Sequence, residues 1–344
     1  MPKVGIVGSG FIGGVHYGSH SKLSDSQVIA ICDTDIEKAK KTVRGEASGG
    51  NLAVEKSKPI GFDPAKIEYY SDYDKMLKNK DIEIIDVCLP TYMHKEAVIK
   101  AAKAGKHVIC EKPMALDAKD CKEMIKAVKK AGVKFMVAHV IRFWPEYVAL
   151  KELIDGKSLG KLLALNLQRH SPTPTWTWKN WILEAKNSGA AALDLHVHDT
   201  DYVLYLCGMP KAVSSVGVKG CATKGVDHLS TQFFYKNGPK VTAEGGWAYA
   251  PKYSFRMAFW ALFEKGAAEF SSLNYPMTVT PYGKEPFKPK LLTSDGYTNE
   301  IAYFLKCVKD GKYPSIVTPK DARDSVELVL AEVKSVEKGK PVVL

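Results

Sequence analysis

Six residues near the start of the chain, Gly8-Ser9-Gly10-Phe11-Ile12-Gly13, restrict its fold more than any others. They lie between a β-branched run at 3–7 and an apolar helical pattern. Such a tight passage from strand to helix needs a positive φ at Gly8, bare backbone at Gly10 where a pyrophosphate would approach, and close helix–strand packing at Gly13. The unsatisfied N–H groups opening the helix would then face phosphate charge. A second strand pattern at 28–32 ends at Asp33, twenty residues past Gly13. A carboxylate there can accept hydrogen bonds from ribose hydroxyls and repel a 2′-phosphate. The spacing predicts a dinucleotide-binding unit that favours NAD, with Lys38 and Lys40 nearby leaving NADP open. The competing reading is a glycine-rich turn serving another ligand in a doubly wound domain.

Further strand patterns at 82–89, 107–110 and 133–138 alternate with helical ones, the clearest at 92–104. Gly105 and Gly132 supply helix stops. Strands alternating with helices of this length predict an α/β Rossmann domain, a doubly wound parallel sheet, over 1–139. After His139 the periodicity changes. Alternating runs at 161–169, 213–219, 228–235 and 241–247 predict a large, open, mostly antiparallel sheet. A hairpin signal at Asn237-Gly238 and another pair at 255–263 and 267–271 support it. One helix near 190–206 is inserted early. The second domain, an α+β domain for substrate and oligomerisation, is thus predicted over 140–317. A last helix, opened by Thr318-Pro319-Lys320-Asp321, occupies 318–344 and is expected to pack back on the Rossmann domain. The polar stretch 44–64 reads as a surface excursion.

Composition narrows the function classes. The chain has 344 residues, enough for about two domains, and Lys plus Arg outnumber Asp plus Glu 49 to 38. The basic residues alternate with acids on helices, as in Lys119-Asp120-Cys121-Lys122-Glu123, so no nucleic-acid partner is expected. No apolar run reaches membrane-spanning length, and Val4-Gly5-Ile6-Val7 begins a strand where a signal peptide would otherwise stand. Seven scattered cysteines form no metal-binding spacing and read as reduced thiols in a cytoplasmic protein with no metal.

Three further segments carry a resemblance. Cys88-Leu89-Pro90-Thr91-Tyr92-Met93-His94 leads to Ala104-Gly105-Lys106-His107-Val108 and then to Glu111-Lys112-Pro113. Gly189-Ala190-Ala191-Ala192-Leu193-Asp194-Leu195-His196-Val197-His198-Asp199-Thr200-Asp201 comes later. With the glycine loop, these resemble the glucose–fructose oxidoreductase, inositol dehydrogenase and rhizopine catabolism (Gfo/Idh/MocA) family. The resemblance implies an oxidoreductase that moves a hydride between NAD(P) and a ring hydroxyl carbon of a sugar, inositol or related polyol. It implies Lys112, Asp194 and His198 as the catalytic group, a Lys112-Pro113 bond that is often cis, and homodimers or homotetramers built through the open sheet. Gly189-Ala190-Ala191-Ala192 departs from the usual glycine run. The cofactor set is Gly8, Gly10, Phe11, Ile12, Gly13, Asp33, Pro90, Thr91, His94, Glu111 and Lys112.

The residue types suit that chemistry. Oxidising an alcohol requires removal of the hydroxyl proton, and histidine titrates near working pH. Asp194, His198 and Asp201 fall at i, i+4 and i+7, one stripe of a helix. His198 is the expected acid–base group and Lys112 the stabiliser of alkoxide charge. Asp194 would bind a neighbouring hydroxyl or orient the lysine. His196, displaced around the helix, is the weaker base candidate; a core histidine is the bland alternative for either. His94 is as readily structural as functional. Trp176, Trp178 and Trp181 are candidates to stack on a sugar ring or to anchor their loop in the core. Arg142 is a candidate to reach the substrate or to form an ion pair. Two other readings stand beside the dehydrogenase: an NAD-dependent glycosidase that recovers its hydride, and a non-enzymatic NAD-binding regulator.

Overall fold

The computed structural model describes residues 1–46, 50, 59–273 and 275–344. Most of the 44–64 stretch lies outside the described residues. The elements run β1 (Lys3–Val7), α1 (Phe11–Ser21), β2 (Gln27–Cys32), α2 (Ile36–Val43), β3 (Glu68–Tyr70), α3 (Tyr73–Leu77), β4 (Ile84–Val87), α4 (Thr91–Lys103), β5 (His107–Glu111), α5 (Ala118–Ala131) and β6 (Phe135–Ala138). Then follow α6 (Pro145–Gly156), β7 (Leu162–Pro172), α7 (Ala185–Ser188), α8 (Val197–Cys207), β8 (Ala212–Lys219), β9 (Val226–Phe234) and β10 (Lys240–Tyr249). The chain continues with β11 (Arg256–Phe263), β12 (Gly266–Ser271), β13 (Tyr275–Pro281), α9 (Gly296–Lys309), α10 (Pro319–Lys338) and β14 (Val342–Val343).

The first unit comprises Met1–Val140, Trp176–Trp181 and Gly296–Arg323. Its sheet runs β3-β2-β1-β4-β5-β6, with every pair parallel. This is the Rossmann sheet expected from the alternating patterns. Strands buried on both faces read as near-continuous apolar runs, and β4 and β6 are buried at every position, with Asp86 the one acid among them. The predicted stops act as such: Gly105 has φ +75° and Gly132 φ +68°. Strand order reverses at β1, between β2 and β4, so the carboxyl ends of β1, β4 and β5 flank the crevice where such sheets bind ligands. The segment α9 belongs to this unit and packs on α1, bringing the Tyr297 ring 6.2 Å from that of His16.

The second unit comprises Ile141–Thr175, Ile182–Asp295 and Asp324–Leu344. Its eight strands run β13-β12-β11-β7-β10-β9-β8-β14. They pair antiparallel except for β7 with β10, which are parallel because the chain leaves for α8 between them. One sheet face carries the core, where Tyr147 packs edge-on against Tyr202, Phe259 and Phe270. Apolar side chains also line parts of the other face, with Val216 73% and Val218 49% exposed.

The C-terminal region differs from the division drawn at 318. Thr318 and Asp321 do form the expected reciprocal cap, with Asp321 N donating to Thr318 Oγ1 at 3.1 Å and Thr318 N donating to Asp321 Oδ2 at 2.9 Å. From Asp324 onward, however, the chain groups with the second unit. There β14 adds antiparallel to β8, and Glu332 is fully buried. It accepts from Thr200 Oγ1 at 2.8 Å and Thr231 Oγ1 at 2.7 Å, and lies 2.9 Å from His196 Nε2. Its partners come from helix and strand alike, and such a carboxylate is tolerated in a core only because they satisfy it.

Burial disfavours charge on the His196 ring, but the Glu332 carboxylate beside it raises its pKa overall. A raised folded-state pKa stabilises fully below the unfolded value, about 6.5, and the effect fades as pH rises through the folded pKa. Urea midpoints of the wild type should therefore fall as pH climbs above about 6.5, and Glu332→Gln should flatten that slope. Equal slopes for the two proteins would separate His196 from this carboxylate.

Candidate active site and cofactor cradle

The three glycines of the loop differ in what surrounds them. Gly8 has φ +94°, and a Cβ there would lie 2.5 Å from Cys88 O. A Cβ at Gly13 would lie 2.0 Å from Gly8 O. Both positions are fixed by the protein's own backbone. Gly10 is different: the nearest atom to a Cβ there is Lys38 Nζ, at 4.0 Å. Internal packing gives no reason for a glycine at that point, whereas a ligand approaching the backbone does. Gly10 is also the N-cap of α1, with no side-chain cap and no acidic residue in the first turn. The opening N–H groups of α1 therefore have no side-chain cap competing with a phosphate. Phe11 and Ile12, half-buried, follow directly on that turn.

Asp33 reaches back to this loop. Its Oδ2 accepts from Ser9 N at 2.8 Å and from Ser9 Oγ at 2.7 Å, and its Oδ1 accepts from Asp35 N at 3.0 Å. Burial raises its pKa, but these donors, with Lys38 nearby, hold it below the usual carboxylate range. A carboxylate offers about four lone-pair sites, so capacity remains for a ribose hydroxyl.

At the ends of β4 and β5 the expected residues assemble around one histidine. His94 is buried, with Nδ1 2.9 Å from Pro113 O and Nε2 2.8 Å from Leu89 O. Burial lowers its pKa. Both ring nitrogens thus face main-chain carbonyls, so His94 ties the turn after Pro90 to the Glu111-Lys112-Pro113 segment. These contacts support the structural reading of His94. Thr91 is buried and Pro90 half-buried. The Lys112–Pro113 peptide is cis. Lys112 is half-buried, and its amide donates to Glu111 Oε2 at 3.0 Å. Trp181 packs edge-on to Tyr92 at 6.3 Å, which favours the loop-anchor reading for that residue. Trp178 is largely exposed under Lys179 Nζ, and Trp176 is half-buried.

In the second unit the segment before α8 departs from the expected α-helix. Gly189 (φ +75°) and Ala190 (φ +57°) are both left-handed, and residues Ala192–His196 form a π-helix. A left-handed alanine costs about 1–2 kcal/mol, and π-helical turns recur at functional sites. The acids and imidazoles of 194–201 then sort sharply. His196 is buried on Glu332. Asp199 is buried on Arg169, whose Nε donates to Oδ2 at 2.8 Å and Nη2 to Oδ1 at 3.2 Å. Asp201 is buried on Arg142, with Nε donating at 2.8 Å and Nη2 at 2.7 Å, and it also accepts from Ser325 Oγ at 2.7 Å. Asp194 and His198 alone in this stretch remain half-buried.

Two sequence readings bear on this packing. Arg142 sits in a buried bidentate pair under the Tyr205 ring, 4.6 Å away, which supports the ion-pair reading of that residue. Asp201 is part of that pair, so the three-residue stripe reduces to Asp194 and His198. Sequence reasoning also passed over His16, buried in α1 between Asp86 and Glu111. The signal was an acid, Asp86, inside the apolar strand Ile84-Ile85-Asp86-Val87, since a buried carboxylate demands a partner.

If Gly10 is bare for a ligand and Gly13 for the fold, alanine should separate the two roles. Gly10→Ala should weaken NADH binding about tenfold or more with little change in melting temperature. Gly13→Ala should lower the melting temperature itself. Fluorescence titration and thermal melts distinguish these outcomes, and the reverse pattern would overturn the assignment.

Comparison with known proteins places these features in a family. Residues 2–139 match the oxidoreductase family described as an NAD-binding Rossmann fold, and residues 147–269 match the GFO/IDH/MocA C-terminal domain. The chain is 26% identical to the myo-inositol 2-dehydrogenase of Thermotoga maritima, covering 99% of this chain and 98% of that one. It is 36% identical to the 2,7-anhydro-N-acetylneuraminate hydratase of Escherichia coli over 151 residues, 43% of this chain and only 40% of the hydratase. Among solved structures, the aldose-aldose oxidoreductase of Caulobacter crescentus, complexed with glycerol, shares the fold. Its TM-score is 0.84 at 22% identity, over 100% of this chain and 99% of that one. Among the described residues no helix is long and apolar enough to cross a membrane. With an NAD-binding Rossmann unit and the matching C-terminal domain both present, the chain belongs to the Gfo/Idh/MocA oxidoreductase family.

Proposed function

We propose that the protein is an NAD-dependent dehydrogenase acting on a ring CH–OH of a small sugar, inositol or related polyol. The observation that carries this reading is the sorting of residues 194–201. The buried acids and imidazole (Asp199, Asp201 and His196) are held by Arg169, Arg142 and Glu332, while Asp194 and His198 are the half-buried members of a strained π-to-α segment. Two of the sequence relatives, from Thermotoga maritima and Pseudarthrobacter phenanthrenivorans, are a myo-inositol 2-dehydrogenase and a levoglucosan dehydrogenase. Their names supply the substrate class.

In this reading the loop amides from Gly8 to Gly13 hold the pyrophosphate, and Asp33 holds the adenosine ribose, with its charge favouring NAD. Bound NAD supplies the hydride acceptor. His198 takes the hydroxyl proton as the C–H bond breaks, and returns it in the reverse direction. The Lys112 ammonium supplies the positive charge that stabilises a developing alkoxide. Asp194 accepts a hydrogen bond from a neighbouring hydroxyl and so fixes the ring's orientation. Trp178, exposed on its loop, and half-buried Trp176 remain candidates for stacking on a sugar face. The exposed valines of the open sheet support assembly of copies through that face, in a cytoplasmic protein.

A second reading has one observation behind it. The hydratase relative matches at higher identity, though over a shorter stretch. A redox-neutral addition of water, in which NADH never accumulates, would use the same three residues.

A panel of inositols, aldoses and anhydro sugars incubated with NAD separates the two readings. NADH absorbance that accumulates identifies a dehydrogenase; product without NADH identifies the redox-neutral reaction. Lys112→Met and His198→Gln should each cut turnover about a hundredfold or more, and in His198→Gln NADH affinity should stay within about threefold. Full turnover in either variant removes that residue from the mechanism.

A further inference from the structure

The first unit buries a chain of hydrogen-bonding groups that ends on the Lys112 backbone. Ser26 Oγ lies 2.7 Å from His20 Nδ1, and His20 Nε2 lies 3.1 Å from Asp86 Oδ2. Asp86 presents both oxygens to His16 Nδ1, at 2.9 and 3.0 Å. His16 Nε2 then lies 3.0 Å from Glu111 Oε1, and Glu111 Oε2 accepts from Lys112 N at 3.0 Å. His16 and Asp86 are fully buried and Glu111 nearly so. Five segments contribute: α1, the loop before β2, β4, β5 and the turn into Lys112.

We infer that His16 is a positioning residue for Lys112: a buried imidazolium that locks the Glu111 carboxylate onto the Lys112 amide. This rests on the reading of Lys112 as a catalytic residue. Three features lead to it. Both His16 nitrogens face carboxylates, and only a doubly protonated ring donates to both at once. Charge-assisted hydrogen bonds of this kind are short and about twice as strong as neutral ones. Although burial opposes charge on the ring, Asp86 keeps the His16 pKa well above its ordinary value, and that of Asp86 well below its own.

A carboxylate in the interior could be held by any donor if only stability were at stake. Here its two oxygens divide: one takes the imidazolium, the other the amide that precedes the Lys112 side chain. Freed of His16, the Glu111 side chain would have other rotamers open to it, and the Lys112 amide would lose a fixed acceptor. The groups facing His16 are His20 on its own helix, Asp86 on β4 with Cys88 just beyond, Glu111 on β5, and Glu300 and Tyr297 on α9. Glu300 offers an oxygen within 4.8 Å of both the His16 and Glu111 ligand atoms, so the ring sits among three carboxylates.

Nuclear magnetic resonance on the intact protein tests this without relying on turnover. With 15N-labelled histidine, the two His16 ring nitrogens should both report protonation at about pH 8, well above the ordinary histidine value. A neutral tautomer at that pH would overturn the inference. Amide exchange at Lys112 should speed up about tenfold or more in His16→Gln and in Glu111→Gln, and no further in the double variant, since the two act through one contact. A folded His16→Gln protein that protects the Lys112 amide as the wild type does would also overturn it. Should His16→Gln not fold, Asp86→Asn, which removes the charge that holds the ring protonated, serves in its place. These readouts do not depend on Lys112 doing chemistry. A Lys112→Met variant with full turnover would refute the catalytic reading and leave them standing.

Discussion

The contact between Gly13 and the Gly8 carbonyl sets the geometry that the rest of the first unit depends on. A methyl group at Gly13 would come within 2.0 Å of that oxygen, so α1 can leave β1 at this angle only with hydrogen there. That angle places uncapped N–H groups of α1 above open space at Gly10. It also turns the His16 face of the helix inward, toward β4 and β5. One steric constraint therefore fixes both the anion cradle and the buried support under the Glu111-Lys112-Pro113 segment.

Much of this was legible in the sequence because it is written in spacing. Periodicity of two and of 3.6, with glycines at the breaks, separated a parallel from an antiparallel region. The loop and Asp33 located the cofactor side. Short or edge elements were missed: β3, β13 and β14 have few residues or one open edge, so their patterns are weak. The return of α9 to the first unit was missed for another reason. Its apolar face fits any core, and only tertiary contact selects which. The last helix straddles the division, grouping with the second unit only from Asp324.

Side-chain fates in the candidate site were legible only in part. Spacing placed Asp194, His198 and Asp201 on one stripe, but spacing is blind to the arginine that Asp201 meets. Arg142 read equally as ligand or ion pair, and its buried pairing with Asp201 supports the pair. The π-helix at Ala192–His196 has no signature in residue types, since it follows from left-handed backbone at Gly189 and Ala190. In both units several buried charges occur in matched sets: Arg142 with Asp201, Arg169 with Asp199, His196 with Glu332, and His16 with Asp86 and Glu111. Breaking one partner in such a set leaves an uncompensated charge in the core, which is far more damaging than losing an exposed pair. These sets hold the functional segments in register.

The roles proposed for the Lys112 ammonium and the His198 imidazole, stabilising the alkoxide and moving its proton, carry the proposed chemistry. A crystal structure with NADH and a polyol that the enzyme accepts measures this directly. The account predicts Lys112 Nζ and His198 within hydrogen-bond reach of the same hydroxyl, its carbon about 3–3.5 Å from the nicotinamide ring. A complex in which that hydroxyl contacts neither side chain, or in which the two lie on opposite sides of the bound sugar, would contradict it.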